Sequence, residues 1–290
     1  LKKLTDNALD LGKATSYTNA EVAGLQLELA RAGFKPEEIL SSTKPILDLA
    51  RATGTDLPRA AEIGANAIRA FGLDASEMGR VSDVAFATTA KSAQNLEEYF
   101  EAMKYAAPVA KMAGMSIEEV SGAIGKLADV GIKGSMGGTG LRQIILGMAS
   151  LTPAANDVMN QLGVATKDAA NNLRDPLIVL KEMKAAMNDL GWGSAEQIAA
   201  FQTVFDIRGG STAMTLSDMV DGAKALTTEL ENSAGFASDV ATMMDAGIGG
   251  SWRKMTSAIS DLATRLGRAA SGPVMQFFAG ITAVANRLSE

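Results

Sequence analysis

Residues 95–151 read NLEEYFEAMKYAAPVAKMAGMSIEEVSGAIGKLADVGIKGSMGGTGLRQIILGMASL. Apolar residues recur at helical spacing in three runs of this segment, and that pattern predicts three amphipathic helices. Gly114 follows the first run, where a left-handed helix cap suits a residue without a side chain. Ser116 and Glu119 have capping-box spacing, which indicates the start of the second helix. That helix ends at Gly131, and the third helix follows a glycine-rich segment.

Glycines end helical patterns along much of the chain and predict frequent turns. We expect structural turns at Gly33, Gly54, Gly72, Gly114, Gly131, Gly134, Gly137, Gly138 and Gly140. The run GSMGGTG at 134–140 lacks the Gly-Lys-Ser/Thr ending of a nucleotide-binding loop, so it predicts a mobile hinge between helices instead. Apolar content is 47% but aromatic content is only 5%, which favours helix packing over sheet. The sequence therefore predicts an all-α fold, either a compact multi-helix bundle or an irregular stack of antiparallel helical hairpins.

Changes in pattern along the chain predict three subregions. Residues 1–163 form a helical core region with glycine-turn hairpins, and residues 164–247 form a second helical subregion. In the second subregion we expect a helix over 194–208 that is broken by Arg208-Gly-Gly-Ser. Residues 248–290 carry a long basic helix and an apolar terminal helix.

Composition excludes several kinds of chemistry. The chain has no cysteine and no histidine, so disulfides, ordinary zinc sites and catalysis by Cys/His or Ser/His groups are excluded. The formal net charge of −6 argues against specific nucleic-acid binding, which depends on lysine and arginine neutralising phosphates. We predict no catalytic residue, no cofactor and no metal site.

Glutamate pairs offer the one pattern that could support hydrolysis of a glycan, because that reaction uses two carboxyl groups. The pairs are Glu37/Glu38, Glu97/Glu98 with Glu101, and Glu118/Glu119. All lie in the first turn of a predicted helix, where acidic side chains favour the positive end of the helix dipole. We therefore interpret them as helix-capping groups rather than as an acid and base.

The last predicted subregion has a different character from the rest. Residues 248–290 hold five basic and two acidic side chains, whereas residues 1–247 hold 22 basic and 31 acidic ones. A tryptophan and apolar residues at helical spacing give this segment a candidate interaction face. The candidate residues are Trp252, Arg253, Lys254, Met255, Ile259, Leu262 and Leu266. An oligomer or tube contact and a simple solvated basic face both remain open.

Residues 269–286 form the most apolar run and carry no charge. Pro273 and Asn286 interrupt the run, and a membrane-spanning helix needs about 20 apolar residues. A buried or interfacial helix is the favoured interpretation, and contact with a host membrane stays open.

Several short motifs together resemble the core region of phage tail tape measure proteins. They are YAAPVA at 105–110, AG at 113–114 with IEE at 117–119, LADVGIKGS at 127–135, GTGLR at 138–142, FDIRGGSTA at 205–213 and GSW at 250–252. Each motif is weak alone, but the combination is specific. The resemblance extends from about the first helix to roughly residue 268.

This resemblance implies a non-enzymatic role in tail assembly, tail-length determination and DNA ejection through the tail tube. It implies as partners the tail tube protein, tail assembly chaperones, and tail tip or baseplate hub proteins. It implies a place in the tube lumen of the virion tail, and in the host cytoplasm during assembly. A homo-oligomer remains open. The alternatives are a cell-wall hydrolase module of a phage tail protein and a host-side helical adaptor.

A measuring rod would be one long helix, and 290 residues at 1.5 Å each would span roughly 435 Å. Glycine and proline interrupt this chain too often for that, and its apolar faces require lateral partners. We therefore expect a compact segment, in which internal deletions disrupt folding or assembly instead of shortening tails in proportion. Because the chain begins at Leu1, we also expect it to be part of a longer protein.

Overall fold

The computed structural model describes residues 1–246. In this part the chain forms thirteen α-helices: α1 (Lys2–Ala14), α2 (Asn19–Arg31), α3 (Pro36–Thr53), α4 (Leu57–Phe71), α5 (Met78–Ala90), α6 (Leu96–Met112), α7 (Ile117–Asp129), α8 (Gly134–Ala149), α9 (Pro153–Leu162), α10 (Pro176–Asp189), α11 (Ser194–Ser217), α12 (Val220–Glu231) and α13 (Phe236–Ala246). A short 3₁₀ helix covers Ala75–Glu77. The β-type pairing seen within residues 1–246 is an isolated antiparallel bridge between Lys167 and Leu173. The all-α prediction is confirmed for this part of the chain.

The described residues group into two compact units. Unit 1 comprises residues 1–65 together with the described residues from 237 onward, and unit 2 comprises residues 66–236. The boundary between 65 and 66 falls inside α4. The predicted subregions, with boundaries at 163/164 and 247/248, remain a prediction.

In unit 1, helices α1, α2 and α3 pack against one another. A capping box starts α2, since Thr18 accepts a hydrogen bond from the Glu21 backbone and the Glu21 carboxylate accepts one from the Thr18 backbone. Pro36 occupies the first turn of α3, where its missing N–H costs no helical hydrogen bond. The side chains that fill this unit are aliphatic and fully buried, among them Leu25, Leu29, Ile46, Leu47 and Leu49.

In unit 2, α8 packs extensively against both α6 and α11, and α7 packs against α12 and α5. Phe201 and Phe205 from α11 are the largest fully buried side chains of the described residues. Their rings stack with centroids 6.2 Å apart. Burial of this size is the main stabilising contribution to such a helical core.

Most of the glycines predicted as turns do lie at helix ends. Positive φ values, between 55° and 86°, occur at Gly33, Gly54, Gly72, Gly114, Gly131 and Gly134. At Gly114, for example, the following Met115 N–H bonds the Ala110 carbonyl at 3.0 Å, as in a Schellman-type helix end.

The turns predicted at Gly137, Gly138 and Gly140 are wrong. All three lie inside α8 and are buried, so the predicted hinge at 134–140 is the first half of a helix. An interior glycine costs a helix about 1 kcal/mol relative to alanine. Because of this local cost, the sequence pattern predicted a turn. Close packing of this helix against its neighbours outweighs the cost.

Candidate functional site

The motifs that carry the family resemblance come together in unit 2. The segment 105–110 lies in α6, 117–119 in α7, 138–142 in α8 and 205–213 in α11. Helix α8 is the centre of this group because it packs against both α6 and α11. The GSW motif lies outside the described residues.

Helix α8 uses glycines to bring backbones close together. A Cβ atom added to Gly138 would lie 2.7 Å from the carbonyl carbon of Ala102 and 2.8 Å from its Cα. A Cβ added to Gly147 would lie 2.7 Å from the carbonyl oxygen of Val204, and one added to Gly140 would overlap the Thr212 side chain. No side chain larger than hydrogen fits at these positions without moving a neighbour. The glycines therefore set the spacing of α8 from α6 on one side and from α11 on the other.

The contact between α7 and α12 is built in the same way. A Cβ added to Gly122 would lie 2.7 Å from the carbonyl oxygen of Ala223, and one added to Gly125 would lie 2.7 Å from Cδ2 of Leu226. Since both glycines are buried in mid-helix, their role is close approach rather than chain reversal. The sequence signal was present as glycines at i and i+3 in an amphipathic helix.

Helix α11 turns sharply at Asp206. Its φ of 63° and ψ of 168° lie in a region that is essentially restricted to glycine. In a straight helix, Gln202 and Gly210 would lie about 12 Å apart along the axis. Here a Cβ on Gly210 would lie 3.0 Å from the backbone nitrogen of Gln202, so the two halves of α11 fold back against each other. The Asp206 carboxylate accepts a hydrogen bond from the Ile207 N–H at 2.6 Å, which satisfies one of the free N–H groups at the start of the second half.

This geometry corrects the predicted helix break at Arg208-Gly-Gly-Ser. The break lies at Asp206, and Gly209 and Gly210 are buried inside the second half of the helix. The corner leaves Ile207 72% exposed at its tip. Sequence reasoning missed this corner because the glycines at 209 and 210 placed the predicted break downstream of Asp206.

Two polar contacts, one partly buried and one buried, fix α7 against α5 and α6. The Arg80 guanidinium donates two hydrogen bonds to Glu118, at 2.6 Å to Oε1 and 2.7 Å to Oε2. Burial acts to raise the pKa of Glu118, but the hydrogen bonds and charge of Arg80, together with hydrogen bonds from the Glu118 backbone and from Ser116, outweigh it and keep the pKa below its ordinary value. The Tyr99 and Ser121 hydroxyls share a hydrogen bond of 2.9 Å in the core. Burial raises the pKa of Tyr99.

The glutamate pairs start helices, as their positions in first turns predict. One member of each pair accepts a hydrogen bond from the backbone N–H of the residue that precedes its helix: Glu38 from Lys35 at 2.7 Å, Glu98 from Asn95 at 3.0 Å and Glu119 from Ser116 at 2.7 Å. Glu118 pairs with Arg80, and Glu101 lies 3.6 Å from the Lys104 ammonium group. These carboxylates therefore act on helix starts and ion pairs.

Unit 2 also has an open groove of about 410 Å³. Val130, Ile198, Met214 and Met219 give it apolar walls, and Lys184 pairs with Asp218 at its rim. Val130 is 52% exposed and Ile198 42% exposed. Ser194, Gln197 and Thr215 also line the groove, so its surface is part apolar and part polar.

Two predictions fall partly or wholly outside residues 1–246. The candidate interaction residues from Trp252 to Leu266 and the apolar run 269–286 lie outside the described residues, so both stay predictions. Among the helices that the structure describes, none combines the length and the apolarity needed to cross a membrane. In the same part of the chain, no three acidic side chains cluster closely enough to hold a metal ion.

Comparison with known proteins gives one family. A family model described as phage-related minor tail protein matches residues 5–206. A tape measure protein of Pneumococcus phage Dp-1 is 34% identical over 267 residues, which cover 91% of this chain and 23% of that protein. A probable tape measure protein of Escherichia phage P2 is 32% identical over 265 residues, which cover 91% of this chain and 32% of that protein. No solved structure shows significant similarity.

The chain thus spans about a quarter to a third of the length of these relatives. The matched residues include α6, α7, α8 and the first half of α11, which form the glycine-packed group in unit 2. Since the family model covers most of the sequence and the resembling motifs lie together in its core, the chain belongs to the family of phage-related minor tail proteins.

Proposed function

We propose that this chain is a folded structural segment of a phage tape measure protein, acting in tail assembly and tail-length determination and in DNA ejection through the tail tube. The observation that carries the proposal is the similarity to two proteins named as tape measure proteins, each over 91% of the chain. The family match over residues 5–206 supports the same structural role.

The fold supports a folded module rather than a measuring rod. Helices end at glycines with positive φ, and the chain then reverses and packs on itself through the glycine faces of α7 and α8. A rod gains about 1.5 Å of length for each residue, whereas a chain that folds back does not. Within the longer protein, we propose that this segment is an assembly module and that the length is measured elsewhere.

The partners that follow from this role are other tail proteins. We propose contacts with the tail tube protein, tail assembly chaperones, and tail tip or baseplate hub proteins. The segment would then occupy the tube lumen of the virion tail, after a stage in the host cytoplasm.

A structural role also fits the use of the glutamates. Of the glutamates considered for glycan hydrolysis, Glu38, Glu98 and Glu119 accept backbone hydrogen bonds at helix starts, and Glu118 pairs with Arg80. Glu118, which pairs with Arg80, has its pKa held below its ordinary value, the opposite of the raised pKa that a general acid needs. We therefore propose that the segment is not an enzyme.

Complementation in the phage that encodes the chain tests this function. A stop codon early in the gene should give heads without normal tails, and the unmodified gene supplied in trans should restore them. The Gly79→Ala variant should also restore tails because a Cβ at Gly79 meets open space. The Gly138→Ala variant should restore fewer, because its Cβ collides with the Ala102 backbone. Tails of normal number and length in the absence of the protein, seen by negative-stain electron microscopy, would overturn the proposal.

A further inference from the structure

Unit 1 joins two parts of the chain that are far apart in sequence. The Nε atom of Arg51 in α3 lies 2.7 Å from Oδ1 of Asp245 in α13, and these residues are 194 positions apart. The other carboxylate oxygen of Asp245 accepts a hydrogen bond from the Ser16 N–H at 3.2 Å. Lys44 donates to the Ser238 hydroxyl at 3.1 Å. We call Ser16, Arg51 and Asp245 the clasp.

The clasp is buried, and its burial favours the state in which the two parts of unit 1 are in contact. The side chains of Arg51 and Asp245 are each only 10% exposed. Arg51 also donates to the Met244 carbonyl at 3.1 Å, so its guanidinium bonds two groups of α13. A buried charge that loses its partner is strongly unfavourable, since neither water nor another charge replaces it. The two parts of unit 1 therefore separate only if both charges become hydrated.

The clasp makes the distance between Arg51 and Asp245 independent of the number of residues between them. As one straight helix, the 194 positions between Arg51 and Asp245 would extend about 290 Å, yet their charged groups are in contact. The chain enters unit 1 through residues 1–65 and returns to it at 237–246. Whatever residues 66–236 do, they add nothing to the distance between these two points while the clasp is closed.

We propose that the clasp makes this segment of the tape measure protein length-neutral, which means that its residues do not add to tail length. In this proposal unit 2 is an insertion in the chain whose residues are not counted. This inference rests on the proposed function and deepens it, because it names the residues that remove the segment from the length count. It also places the clasp in the path of any tension applied to the flanking chain. Residues 52–236 carry no tension until Arg51 and Asp245 separate.

Distance measurement on the full chain tests the clasp without any reference to tails. The chain has no cysteine, so Ala20→Cys and Ala246→Cys, both at exposed positions, introduce two unique spin-label sites. Double electron–electron resonance should give one short, narrow distance distribution. The Asp245→Asn variant should broaden it towards longer distances. The Glu229→Gln variant, which removes an exposed partner of Lys91 in unit 2, should leave it unchanged.

Two outcomes of that measurement would overturn the clasp. One is a broad or long distribution in the chain that carries only the two labels. The other is an Asp245→Asn variant with the same narrow distribution. If the Asp245→Asn variant does not fold, a mechanical test takes its place, in which the chain that carries only the two cysteines is pulled at those two positions. A force peak must then precede any extension, and extension of residues 66–236 before that peak refutes the inference.

Tail length tests the second half of the proposal. A 20-residue glycine/serine insertion between Ala169 and Ala170, in an exposed loop of unit 2, should leave tail length unchanged. Lengthening by about 25 Å, the root-mean-square span of a 20-residue glycine/serine linker, would show that unit 2 is counted and would refute length neutrality. A distance measurement that contradicts the clasp would not affect the proposed role in the tail. Normal tails in the absence of the protein would refute that role but not the clasp. The two proposals can therefore fail separately.

Discussion

Replacement of Gly138 by alanine should destabilise unit 2 despite improving local helix propensity. The new Cβ would lie 2.7 Å from the Ala102 carbonyl carbon and 2.8 Å from its Cα, well inside van der Waals contact. Because the obstructing atoms are backbone, no rotamer change relieves the overlap, and α8 must move away from α6. Overpacking of this kind costs about 1–3 kcal/mol, with a backbone collision at the upper end. Alanine returns about 1 kcal/mol of helix propensity, which leaves a net loss of about 2 kcal/mol.

For a unit of this size, a loss of about 2 kcal/mol lowers Tm by about 4–8 °C. Thermal unfolding followed by circular dichroism or calorimetry on the full chain measures it. The matched control is Gly79→Ala in α5, where a Cβ meets no atom within 4 Å. There only the propensity gain remains, so stability should rise by up to about 1 kcal/mol. The reasoning is refuted if Gly138→Ala is as stable as the unmodified chain, or if both variants shift Tm in the same direction.

Three further outcomes follow from the same contacts. Asp206→Gly should raise the free energy of unfolding by about 1 kcal/mol, because glycine adopts the φ of 63° without strain; a lower value in urea titration would contradict this. The lowered pKa of Glu118 means that the unfolded chain binds more protons, so stability is lost as pH falls through the acidic range. Glu118→Gln should flatten that loss in urea titrations at several pH values, and an unchanged slope would argue against the Arg80 contact. The raised pKa of Tyr99 gives the opposite sign, with stability lost as pH rises above about 10. Tyr99→Phe should reduce the alkaline loss but cost about 1 kcal/mol at neutral pH, since the Ser121 hydroxyl loses its partner.

Local signals in the sequence were sufficient to predict how helices begin and end. The Ser116–Glu119 capping box is present in both directions, with the Glu119 carboxylate accepting from the Ser116 N–H at 2.7 Å. Gly114 and Gly131 have positive φ where the apolar runs end. Such features depend on residues within a few positions of one another, so their physical causes are contained in the local sequence.

The glycines of α8 show where local reasoning fails. Gly114 and Gly138 are the same residue type with opposite roles, one permitting a positive φ and the other permitting a backbone of α6 to come close. Propensity describes only the first role. The second depends on Ala102, 36 positions earlier, and no local pattern identifies that neighbour. A glycine in an apolar helix is better interpreted by asking which flanking residues continue the helical period across it, as Leu141, Ile144 and Ile145 do here.

The clasp could not be predicted from local sequence, because it joins residues 194 positions apart. It also adds a property that compactness alone does not give. Apolar helix faces require lateral partners, and from that requirement a compact segment could be predicted. A compact segment can nevertheless have the chain enter at one end and leave at the other, so that its two ends lie far apart. The contact between Arg51 and Asp245 removes that possibility for the residues between them. The clasp holds these two points of the chain together, whereas a glycine turn reverses the chain without fixing its two ends.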